Sequence, residues 1–173
     1  MPPATPTFDP IAILQTLEEH RVLYVVIGTL ARVIHGTGET TAGLDIVPAM
    51  RPPNLRQLGL ALGELDARCL NGAPVDLERD LDASSLLELR TSAGTLKVVP
   101  IPAGTRGYTN LRRYASREPL GDGVRPYVAS LIDLGVMLWA VNRNDEVALV
   151  HRVLDLESRR RPKGRQQRQR RGA

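Results

Sequence analysis

Apolar positions along the chain switch between helical and strand periodicity. Ile11, Leu14 and Leu17 follow Asp9-Pro10 at helical spacing. Asp9 suits the N-cap and Pro10 the first helical position, which predicts a helix to about Arg21. Residues 22–27 form an unbroken apolar run, the pattern of a strand covered on both faces. Gly28-Thr29 turns the chain into a short helix from Leu30 to Ile34, closed by the loop His35-Gly36-Thr37-Gly38. Residues 43–47 predict a second strand, stopped by Pro48. Pro52-Pro53-Asn54 opens a helix of about a dozen residues, with Leu55, Leu58, Leu62 and Leu65 in helical register.

Residues 71–82 read as a loop, with Asn71-Gly72 as a turn and Pro74 as a breaker. Ser84 and Ser85 predict a helical turn through Leu89, and Thr95 to Ile101 a strand. A helix is expected near Thr109 to Ala115 and a short strand over Pro126 to Ala129. Ser130 and Asp133 have the spacing of a capping box, Ser130 accepting from the backbone and Asp133 reaching back, for a helix to about Val141. A last helix runs from about Asp145 to Ser158. The fold class is therefore α/β (α+β by some schemes): a mixed sheet flanked by helices, with a C-terminal helical pair. Residues 1–8, rich in Pro and Thr, are expected to be disordered, 9–158 to form one domain, and 159–173 to form a disordered basic tail.

Composition sharpens this picture. Eight cations lie in the last segment: Arg159, Arg160, Arg161, Lys163, Arg165, Arg168, Arg170 and Arg171. Setting those eight aside leaves 15 of the 23 basic residues against 19 acidic ones, so the body is mildly acidic. The single cysteine, Cys69, excludes an internal disulfide and suits a reducing cytosol, where it reads as a small core residue. The start lacks a basic and apolar leader, and no run approaches the roughly 20 apolar residues of a membrane span. The expected location is cytoplasmic. His20 and His151 read as helix-surface residues, and His35 as a helix cap.

The segment YVVIGTLARVIHGTGETTAGLDIV (24–47) carries the candidate chemistry. Gly28-Thr29 is either a plain strand-to-helix turn or a phosphate contact through backbone N–H groups and the Thr29 hydroxyl. Asp45, between Leu44 and Ile46, is either a solvent-facing strand acid or an acid facing a cleft. Lys97 is either an exposed edge residue or a cation in that cleft. With VVIGTLARVIHG, TAGLDIVPA, NLRQLGLALGELDA, GTLKVVPIPAGTRGY and VASLIDLGVMLWAVNRND, the chain resembles the minimal nucleotidyltransferases and the AbiEii-like abortive-infection toxins over about residues 10–158.

That resemblance implies a nucleotidyltransferase-like sheet and a site built on a Gly turn, an Asp-apolar-Asp strand, a third acid on a neighbouring strand, a helical Lys and an Arg. Two acids on alternate strand positions share one face, as two-metal phosphoryl transfer requires. At the implied positions this chain has Gly43 for the first acid, Asp45 for the second, Lys97 for the third, Leu138 for the lysine and Arg143 for the arginine. One carboxylate beside an amine holds magnesium poorly, because the ammonium repels the ion and satisfies the acid. The implied nucleotide contacts are Gly28, Thr29, Asp45, Lys97 and Arg143, with Asp45 the sole, weak metal ligand.

Three functions follow as expectations. The favoured one is a degenerate nucleotidyltransferase-fold protein that binds nucleotide, RNA or a protein partner without metal-dependent transfer and needs no cofactor. The second is an active toxin-like enzyme moving a nucleotide from NTP-Mg onto RNA or protein, with Asp45 as a ligand and Glu39, Asp76, Asp80 or Asp82 replacing the missing acids. Metal ligation tolerates little positional error, which counts against it. The third is an interaction module with a vestigial pocket, whose tail binds RNA or DNA. Such a tail would bind through counterion release and, with no aromatic among its arginines, without sequence preference.

Overall fold

The computed structural model describes residues 6–160. Its elements are α1 (Pro10–Glu19), β1 (Tyr24–Ile27), α2 (Gly28–Ile34), β2 (Gly43–Pro48), α3 (Pro52–Glu64), β3 (Arg68–Cys69) and α4 (Leu77–Asp80), followed by β4 (Leu87–Thr91), β5 (Gly94–Val98), α5 (Tyr108–Arg112), β6 (Ser116–Arg117), β7 (Tyr127–Val128), α6 (Leu131–Ala140) and α7 (Asn144–Arg160). The seven strands form one mixed sheet in the order β3-β4-β5-β2-β1-β7-β6. β2 pairs antiparallel with β1 and parallel with β5. β1 pairs parallel with β7. All four residues of β1 are buried, as its unbroken apolar run predicts for a central strand.

Local chemistry sets the element ends. Asp9 caps α1, its carboxylate accepting from the Ala12 N–H at 3.0 Å. Ile13, Leu14 and Leu17 are fully buried in the main core with Leu58, Leu62, Leu89 and Leu96. Asn54 is also buried and joins the first turn of α3 to the sheet. Its amide donates to the Leu23 and Ala49 carbonyls at 2.9 and 2.8 Å, and its Oδ1 accepts from the Leu23 N–H at 2.7 Å. At α6, Ser130 Oγ accepts from the Asp133 N–H at 3.1 Å and donates to Asp133 Oδ2 at 2.8 Å. The Ser130 hydroxyl thus plays both parts, and the expected reach of Asp133 to the backbone is replaced by a bond to that hydroxyl.

Two expectations are corrected, over 84–89 and within 71–82. The segment 84–89 carries β4 in place of a helical turn. Leu89 and Thr91 point inward while Arg90 is exposed, and the Thr91 hydroxyl ties the tight connection to β5 by donating to the Gly94 carbonyl at 2.7 Å. Cross-strand pairing overrides the local serine signal there. Within 71–82, α4 forms one turn capped by Asp76. The N-terminal segment is anchored by its last residues: Asp9 N–H donates to the Ala93 carbonyl at 2.9 Å, and Phe8 lies against Gly94, where an added Cβ would come within 2.9 Å of the ring. At the other end, α7 continues through Arg159 and Arg160, and the remaining tail cations lie outside the described residues. Among the described residues no helix is long and apolar enough to cross a membrane.

Replacing Asn54 with alanine removes three hydrogen bonds, one buried and two part-buried, and strands the Leu23 N–H and the Ala49 carbonyl, while the Leu23 carbonyl keeps the Ala49 N–H. Urea unfolding of Asn54→Ala should show a loss of about 3 kcal/mol with an unchanged slope; a loss below about 1 kcal/mol would show that water replaces the amide.

Candidate functional site

The register of three strands builds the site. Asp45 on β2 stands opposite Ile27 on β1 and opposite Lys97 on β5, and Lys97 in turn stands opposite Glu88 on β4. Directly opposed residues share a face, so Glu88, Lys97 and Asp45 form one row across the sheet. All three are half-buried, while Leu44, Ile46, Leu89, Leu96 and Val98 on the other face are fully buried. Gly43 and Thr95 form the next matching pair on the Asp45 side. A Cβ at Gly43 would meet Thr95 at 3.5 Å, an ordinary contact, so space for a side chain exists there.

Gly28 is fixed by what stands over it. Its φ is +71°, and an added Cβ would lie 3.0 Å from Asp45 Cγ and closer still to Oδ2. The turn from β1 into α2 therefore needs glycine twice, for the left-handed backbone and for the approach of the carboxylate. Asp45 makes no ion pair within 4.0 Å among the described residues. Burial pushes its carboxyl above the usual range, Lys97 and Arg32 pull it back, Glu88 raises it further, and Arg143 lowers it slightly.

Arg32 escaped sequence reasoning because a single arginine in a short helix carries no pattern. It is 3% exposed, and its charge acts on Asp45. Its guanidinium donates to both Glu39 oxygens at 2.8 Å and to the Thr29 hydroxyl at 3.1 Å. Thr37 adds a third bond to Glu39 at 2.7 Å. The Arg32 bonds hold Glu39 below the ordinary carboxylate range. The Thr29 hydroxyl, accepting from Arg32, keeps its own proton for another acceptor. Arg143, in the turn between α6 and α7, adds its charge to this region and is paired with Glu146 in the first turn of α7. Leu138 is buried in the small cluster between α6 and α7. His35 caps α2 and donates from Nε2 to the Ala129 carbonyl at 2.8 Å, a structural role.

The loop acids do not gather at Asp45. Glu39 is taken by Arg32. Asp76 caps α4, Asp80 pairs with Arg79 and is held at about 2, and Asp82 accepts from the Ser84 N–H at 2.9 Å. Among the described residues no three His, Cys, Asp or Glu side chains converge as metal ligands would. A two-magnesium site needs several carboxylate oxygens around paired ions, and the donor set here does not fit one.

Solved structures give this architecture its place. A Thermotoga maritima protein named a "putative nucleotidyltransferase" (TM1012) superposes with a TM-score of 0.55 at 15% identity, over 83% of this chain and 89% of that one. The fold is that of the nucleotidyltransferases. ANT(2")-Ia in complex with adenylyl-2"-tobramycin has a TM-score of 0.52 at 13% identity, over 85% of this chain and 88% of its own. No protein-family model matches the chain, and no curated protein does. At such identities the likeness establishes the nucleotidyltransferase fold and leaves its chemistry to the residues of this chain.

The raised Asp45 pKa has a thermodynamic sign. A carboxyl whose folded-state pKa exceeds the unfolded value gives most stability when protonated, and that stability is lost as pH rises through the folded value. Asp45→Asn should therefore melt above the parent at pH 7, with the gain fading below about pH 4, where both chains are neutral at this position. A lower melting temperature at pH 7 would show that the ionised acid is held by Lys97.

Proposed function

We propose that this is a nucleotidyltransferase-fold protein that binds a nucleotide without metal-dependent transfer. The carrying observation is the pairing of Lys97 with Asp45 across β5 and β2, in a strand whose other candidate acid position is Gly43. On this reading the Lys97 ammonium supplies the positive charge that metal ions would otherwise bring to a triphosphate. The Thr29 hydroxyl and the backbone N–H groups of Gly28 and Thr29 donate to phosphate oxygens. Arg143 adds charge at the rim, moderated by Glu146. Asp45 stands beside Lys97 in the row and over Gly28, where it leaves no room for a side chain. No transfer step is assigned, because the donor set does not fit the magnesium ions that would carry it.

The basic tail fits the same reading. Arg159 and Arg160 extend α7, and the cations beyond them would attach the protein to RNA or DNA by charge alone. An AbiEii-like role, with a protein or RNA partner in the cytoplasm, rests on the sequence resemblance described above.

Calorimetric titration with ATP and GTP, with and without magnesium, tests this. The expected result is binding in EDTA, weakened about tenfold or more by Lys97→Ala. Gly43→Asp combined with Lys97→Asp should make nucleotide binding magnesium-dependent. Magnesium-dependent binding in the parent chain, abolished by Asp45→Ala, would establish the active-enzyme reading instead.

A further inference from the structure

A charged cavity lies at the end of β1 away from the Asp45 row. Tyr24 is three residues before Ile27, so about 10 Å of strand separates it from the Asp45 row. The cavity has a volume of about 450 Å³, and Arg21, Arg112, Arg117 and Arg125 line it with Tyr24. These arginines come from four places in the fold: the end of α1, α5, β6 and the approach to β7. Among the described residues none of the four forms an ion pair. Arg117 Nε donates to the Arg125 carbonyl at 3.0 Å. Arg112 lies 3.3 Å from the centre of the Tyr127 ring and Arg117 lies 5.2 Å from it. These stacked contacts orient both guanidinium groups while leaving N–H donors free. The one acid in the lining, Glu18, accepts from the Arg125 backbone N–H at 3.1 Å.

Tyr24 supplies the second, independent observation. It is 5% exposed, and its hydroxyl is a buried polar atom without a hydrogen-bond partner among the described residues. An orphaned buried hydroxyl costs about 1–3 kcal/mol, so its retention beside four unpaired arginines calls for an acceptor. Phenylalanine would fill the same core position at no such cost. The acceptor must be anionic, since the lining offers several positive charges against one carboxylate. The volume admits a free polyphosphate or a phosphate carrying a small organic group.

We propose that this cavity binds a phosphate group, with the Tyr24 hydroxyl as the donor at its buried end and the arginines as its counter-charge. The site is separate from the Asp45 row and does not depend on the nucleotide reading given there. Burial pushes the Tyr24 phenol well above its usual range, so it remains a proton donor at any physiological pH. The phosphate comes either from a free polyphosphate or from a phosphomonoester.

The test uses the full-length chain carrying Lys97→Ala, which removes the cation of the Asp45 site, titrated with pyrophosphate and with AMP. At least one probe should bind and raise the melting temperature. Tyr24→Phe and Arg117→Gln should each weaken that binding by about tenfold or more. Tighter binding of pyrophosphate assigns the site to free polyphosphate, and tighter binding of AMP to a phosphomonoester. Without ligand, Tyr24→Phe should melt at or above the parent temperature, because only an unpaired hydroxyl is lost. The proposal is overturned if neither probe binds, if binding survives both substitutions, or if ligand-free Tyr24→Phe melts well below its parent.

Discussion

The register between β2 and its two neighbours governs the molecule. Asp45 opposite Ile27 puts the carboxylate over Gly28, and Asp45 opposite Lys97 gives that carboxylate an amine for its lateral neighbour. A slip of one residue would turn Asp45 and Lys97 into the core and Leu44 and Leu96 out to water. The fully buried Leu44, Ile46, Leu96 and Val98 therefore fix the polar row as firmly as they fix the sheet. Burying those four side chains contributes roughly 1.5–3 kcal/mol each, far more than any single contact within the polar row.

The same constraint explains the division of charge. Arg32 is buried, and its cost is met by both oxygens of Glu39, so that pair is committed to structure. Arg143 is held by Glu146. Among the described residues Lys97 forms no ion pair, and the Thr29 hydroxyl accepts from Arg32 and keeps its proton. A nucleotidyltransferase fold provides the frame, and on the reading proposed above its residues suit an anion better than paired metal ions. A basic cavity lies at the other end of β1.

Much of the frame was legible in the sequence. Asp9-Pro10, the run 22–27, Pro52-Pro53 and Ser130 mark their elements because each signal is local: a cap, a continuous apolar stretch or a fixed φ. β3, β4 and β6 were missed because two-residue strands carry no period, and because Ser84-Ser85 imitates a helix start where pairing with β5 decides the structure. The positions of Gly28, Asp45 and Lys97 were legible through the family pattern. Arg32 with Glu39, and Tyr24 with its four arginines, were not. Their partners lie on separate segments, and nothing in composition or spacing joins residues 21, 24, 112, 117 and 125 before the chain is folded.

The central claim is that Asp45 faces an amine where a metal-dependent enzyme gathers acids. Anomalous diffraction from crystals grown with manganese and a non-hydrolysable ATP analogue addresses it most directly. The account predicts triphosphate density against Lys97 and Thr29, with no manganese peak within coordination distance of Asp45. Two manganese ions bridging Asp45 and the triphosphate would contradict it.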